Sequence, residues 1–160
     1  MQHKILIAYF SASGVTARLA KTLESATGGD LYEIKPVTPY TGADLNWNDK
    51  QSRSSVEMKD RAARPAVAVP VENVAQYDYV FVGFPIWRYE APRIVQTFLE
   101  SYDFSGKTVI PFATSGGSGM GKTAAILQKS CPAAKVLPGI RMSGSASLNE
   151  VSSWVKSLGL

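Results

Sequence analysis

The sequence predicts an α/β fold, a doubly wound, five-stranded parallel sheet with helices on both faces. Three observations carry this reading. Apolar runs alternate with stretches of helical period. The apolar runs are near-continuous, as in strands buried on both faces. Several runs end in hydroxyl, proline or glycine residues, the punctuation of a turn.

The elements follow in order. Lys4–Phe10 reads as the first strand and Val15–Ala26 as the first helix, with Val15, Leu19, Ala20 and Leu23 at helical spacing. Gly28 and Gly29 end that helix, Asp30–Lys35 is a second strand, and Pro36 stops it. Tyr79–Phe84 is a third, fully apolar strand. Ile94–Tyr102 is a helix with Pro92 near its start. Thr108–Ala113 is a fourth strand, followed by a glycine-rich turn and a helix near Thr123–Ser130. Lys135–Met142 carries a fifth strand, and Leu148–Leu160 closes the chain as an amphipathic helix.

Residues 37–78 break the alternation. They form a long insertion with Pro39, Pro65 and Pro70, and a short helix is expected within Asn48–Asp60. Connections of this length often cover or bind a ligand. Tyr40 and Trp47 are large aromatics in that polar stretch. They either pin the insertion to the body or approach a ligand. With 160 residues, the expectation is one domain over 1–160.

Composition narrows the function classes. No apolar run approaches the ~20 residues of a membrane span. The first apolar stretch lacks a signal-peptide cleavage pattern, so a cytoplasmic protein is expected, with no membrane partner. Net charge is +4 without a basic block, which argues against nucleic acid as partner. The single cysteine, Cys131, cannot form an internal disulfide, and the single histidine, His3, reads as a surface residue. No metal site is expected.

Chemistry concentrates in the loops after the strands, where open parallel sheets bind ligands. The first loop, Ser11-Ala12-Ser13-Gly14-Val15-Thr16, sets three hydroxyls around a glycine at a helix start. The first amides of a helix lack intrahelical acceptors, and the macrodipole makes that end positive. Three hydroxyls exceed what a cap needs, and the set suits one phosphate. The second loop spans 84–92 and the third 113–121.

The third loop contains Gly116-Gly117-Ser118-Gly119-Met120-Gly121-Lys122-Thr123, which satisfies a Walker A pattern between a strand and a helix. Nucleoside triphosphate hydrolysis also needs a carboxylate to hold the metal at the end of another strand. No aspartate follows Asp103, the only later glutamate is Glu150, and Asp78 precedes its strand at the wrong end. A P-loop hydrolase is therefore the disfavoured alternative. The glycines serve better to let backbone approach a flat ligand.

These loops resemble those of flavodoxin and the wider flavodoxin-like group of FMN proteins, over essentially the whole chain. Ser11–Thr16 looks like the family's phosphate loop. Pro85-Ile86-Trp87 follows the third strand, where the family places an aromatic against the flavin. Thr114, Ser115, Gly116 and Gly117 follow the fourth, where the family runs backbone along the flavin. The resemblance implies strand order 2-1-3-4-5 and non-covalent FMN. It also implies cofactor contacts from Ser11, Ser13, Gly14, Val15 and Thr16, from Pro85, Ile86 and Trp87, and from Thr114 through Gly119.

Three departures qualify the family picture. The chain is net basic, whereas many flavodoxins are strongly acidic. Residues 84–92 contain no glycine, so a backbone turn with positive φ there would be strained. Arg88 follows Trp87 and faces either the flavin or solvent. An electron carrier serving redox partner proteins is the favoured function. An NAD(P)H-dependent quinone, azo or FMN reductase, acting on a small quinone-like acceptor, is the alternative.

Overall fold

The computed structural model describes residues 4–115 and 119–160. Five parallel strand positions form one sheet in the order 2-1-3-4-5. The strands are β1 (Ile5–Tyr9), β2 (Asp30–Glu33), β3 (Tyr79–Pro85), β4 (Thr108–Thr114) and a fifth position split into β5 (Lys135–Val136) and β6 (Ile140–Arg141). The helices are α1 (Val15–Thr27), α2 (Arg53–Lys59), α3 (Arg93–Glu100), α4 (Thr123–Ser130) and α5 (Leu148–Ser157). His3, Gly116, Gly117 and Ser118 lie outside the described residues.

The period-2 alternation of buried strands sorts the core into two layers. Ile7, Phe81, Ile110 and Phe112 point to one face, where α1 (Leu19, Leu23) and α5 (Val151, Val155) cover them. Leu6, Ala8, Val80, Val82 and Val109 point to the other, beneath Ile94, Val95 and Phe98 of α3 and Leu127 of α4. Helices on both faces are what the near-continuous apolar runs require.

The fifth strand departs from the expectation of one run over Lys135–Met142. Both halves pair with β4, Val136 opposite Val109 and Ile140 opposite Phe112. The Leu137 amide still bonds to the Val109 carbonyl at 2.9 Å, and the ladder breaks at Pro138 and Gly139. Proline has no N–H to give it.

The insertion is anchored at its start by an antiparallel bridge between Pro36 and Val67. Its short helix α2 falls within Asn48–Asp60, as expected, and starts where Ser52 caps it by accepting the amide of Ser55. Arg93, only 1% exposed, binds the insertion to the body. Its guanidinium donates to the Met58 carbonyl (2.8 Å), the Glu57 carbonyl (3.3 Å), Glu90 (3.0 Å) and Gln96 (3.2 Å).

Cys131 is buried, and burial pushes its thiol up to about 11. At pH 8 the thiolate fraction is then on the order of 100-fold below that of a free cysteine. A disulfide reagent should react with native protein slower than with urea-unfolded chain by about that factor. Equal rates would place Cys131 in a segment that opens readily.

Candidate functional site

The C-terminal ends of β1, β3, β4 and β6 converge on one cavity of about 580 Å³. Its walls carry Ser13 and Val15 from the first loop, Pro85, Ile86 and Trp87 from the second, and Thr114 and Ser115 from the third. The three stretches singled out in the sequence are thus neighbours in space. Trp47 of the insertion and Arg141, Ser143 and Gly144 after the fifth strand complete the lining.

The first loop is built around Ser11. Its Oγ accepts the amides of Gly14 and Ala17, both at 3.1 Å, and bends the chain into an arc. Gly14 caps α1 with φ 91°, which a residue bearing Cβ adopts only under strain. Gly14 has no side chain of its own to cap α1, so Ser11 takes up the Ala17 amide instead, and no acid in the first turn offsets the positive end of the helix. Ser13 and Val15 are exposed to the cavity side. Thr16 is turned inward, 1% exposed, with its Oγ1 2.8 Å from Oγ1 of Thr114. That hydroxyl pair ties the first loop to the third.

The second loop is a two-residue hairpin. Trp87 and Glu90 exchange backbone hydrogen bonds of 2.8 and 3.1 Å. Arg88 (φ 49°) and Tyr89 (φ 68°) between them are both left-handed. Tight hairpin turns of this kind favour asparagine and glycine; here two bulky residues carry a strain of roughly 1–2 kcal/mol each. The surroundings hold them. Thr123 Oγ1 donates to the Tyr89 carbonyl at 3.4 Å, and the Arg88 guanidinium donates to Ser55 Oγ at 3.2 Å. Arg88 thus stays solvent-exposed, does not line the cavity, and reaches the insertion.

Trp87 lines the cavity yet is only 5% exposed. Phe10, Tyr40 and Trp47 pack on it edge-to-face, with centroids 5.3–5.7 Å away. Tyr40 pins the insertion. Its hydroxyl donates to Glu57, its ring stacks under Arg53 at 3.8 Å, and burial followed by that hydrogen bond raises its pKa. Trp47 remains 39% exposed at the cavity edge.

Sequence reasoning missed the wall after the fifth strand. Arg141 donates to the Ser115 carbonyl at 3.4 Å. A Cβ at Gly144 would lie 2.4 Å from Val15 Cγ1 and 3.0 Å from the Val15 carbonyl, so only glycine lets this segment close on the first loop. The one available signal was the run Ser143-Gly144-Ser145, small and hydroxyl-rich like the first loop.

The Walker A residues do other work. Lys122 is exposed at the start of α4, and Thr123 is fully buried against the second loop. Gly119 is exposed.

The fold and site define a doubly wound α/β protein with a cavity at the carboxyl ends of the strands of a 2-1-3-4-5 sheet. The chain belongs to the flavodoxin family, whose profile matches residues 4–158. It is similar to a candidate flavoprotein from Bacteroides eggerthii, with a TM-score of 0.91 and 49% identity over 99% of both chains. A flavoprotein from Lactobacillus acidophilus solved with FMN shares the fold, with a TM-score of 0.70 and 22% identity over 96% of this chain and 99% of that one. An FMN-dependent NADH:quinone oxidoreductase of Bacillus cereus is 30% identical over 82 residues, which span 49% of this chain but only 38% of that protein.

Proposed function

We propose that this chain binds one FMN in the cavity and works as an electron-transfer flavoprotein. The convergence of three strand-end loops on one cavity, polar at the α1 end and aromatic at the insertion, carries the reading. Its volume of about 580 Å³ lies within the range of cofactor sites. The residues suit the group. Ser13, Gly14 and the open end of α1 offer uncharged donors to a phosphate. Pro85, Ile86 and Trp87 offer an apolar wall to a flat ring. Thr114 and Ser115, at the end of β4, offer polar groups.

FMN, when bound, supplies the redox chemistry; the protein orients and tunes it. Thr16 and Thr114 hold two binding loops at a fixed separation. Gly144 seals the first loop against the segment after β6, and the insertion keeps water from one side. The positive end of α1 would hold the phosphate, with Arg18 of its opening turn lining the surface beside Ser13 and Gly14.

Calorimetry tests the reading. FMN should bind at least about tenfold more tightly than riboflavin, because the first loop recognises phosphate. Equal affinities would remove that role from residues 11–16. The curated relatives favour a second reading, an FMN-dependent NADH:quinone oxidoreductase. Anaerobic mixing with NADH separates the two. Rapid flavin bleaching without an added reductase supports the enzyme, and slow bleaching supports the carrier.

A further inference from the structure

We infer that Trp47, on the insertion, supplies the aromatic face on which the flavin ring stacks, and that Trp87 is its backing. The inference rests on the FMN reading above. A stacking residue needs an uncovered ring face. Trp87 has almost none. Phe10 stands at 90° to it, Tyr40 at 74° and Trp47 at 79°, and 5% of the residue is exposed. Trp47 meets the cavity with 39% of its surface still open.

A large exposed indole on a polar loop would usually be mobile, but this one is mounted. Thr41 and Asp44 hydrogen-bond each other's side chains and amides at 3.1 and 2.9 Å. Asn46 Oδ1 accepts the amide of Asn48 at 3.0 Å, closing a turn over Trp47. The Arg88 guanidinium lies over the ring, 5.7 Å from its centroid, while bonded to Ser55. Arg88 is a positioning residue in this arrangement. Its left-handed backbone is what lets the hairpin tip reach the insertion.

Equilibrium titration of apoprotein with FMN and with riboflavin tests this. Trp47→Leu keeps apolar bulk but removes the π face. It should weaken FMN and riboflavin by the same factor, about tenfold. Trp47→Phe should stay within about threefold of wild type, and Trp87→Phe should cost less than Trp47→Leu. In wild-type protein, the indole N–H resonance of Trp47 should shift on FMN addition, and that of Trp154 should not. Unchanged affinity in Trp47→Leu, a loss confined to FMN, or an unmoved Trp47 resonance would each overturn the inference while FMN binding itself stands. Wild-type protein that binds no FMN would overturn the site reading first, and this inference with it.

Discussion

Arg93→Met should lower the unfolding free energy by about 3–5 kcal/mol, the cost of removing one partner from a buried charged network. The guanidinium is 1% exposed and has four acceptors. Methionine keeps most of the stem's packing, so the loss is mainly polar. It leaves the carbonyls of Glu57 and Met58 and the Gln96 amide oxygen without this donor. Glu90 is 18% exposed and also lies 3.7 Å from Arg61, so its carboxylate recovers part of its solvation. The effect therefore belongs toward the lower half of the range. Urea denaturation reads it directly. A loss under about 1 kcal/mol would mean that the network is replaceable by water.

The same substitution should reach the cavity. Arg93 is bonded both to α2 and to Glu90, the closing residue of the hairpin that carries Trp87 and Arg88. Loosening it frees the insertion and the second loop together. FMN affinity should fall in a variant that is still folded at low temperature.

The sheet was legible because its strands are buried on both faces, and such burial writes itself as unbroken apolar runs. The three loops were legible because strand order in an open sheet dictates where they meet. Other features left no comparable mark. The hairpin at Trp87–Glu90 uses arginine and tyrosine, neither a turn residue, because its conformation is imposed by Thr123, Ser55 and the Trp87–Glu90 pairing rather than by local preference. The absence of glycine in residues 84–92 argued against positive φ there, yet Arg88 and Tyr89 both adopt it. Nothing in the sequence singled out Arg93, since burial of a charge depends on acceptors from distant segments. The break in the fifth strand was signalled by Pro138-Gly139, yet the apolar pattern on either side outweighed it. Gly144 and Arg141 belong to no motif; only packing reveals that the segment after β6 closes on the first loop.

Thr16→Val should lower stability by about 1–3 kcal/mol, because it leaves the buried Thr114 hydroxyl without its partner. The two Oγ1 atoms are 2.8 Å apart, and the residues are 1% and 3% exposed. Valine is close in shape, so the penalty is one of hydrogen bonding rather than of a cavity. Thr114→Val should cost a similar amount. The double variant should be closer to wild type than the two single losses added together, since removing both hydroxyls leaves neither orphaned. A double-mutant cycle by urea denaturation gives the coupling. Strict additivity would mean that the pair does not act as one bond. Ligand binding then separates two roles for Thr16. As a brace between the first and third loops, its loss should weaken FMN and riboflavin alike. As a direct phosphate donor, its loss should weaken FMN alone. Its inward orientation and burial favour the brace, which leaves Ser13, Gly14 and the amides opening α1 to hold the phosphate.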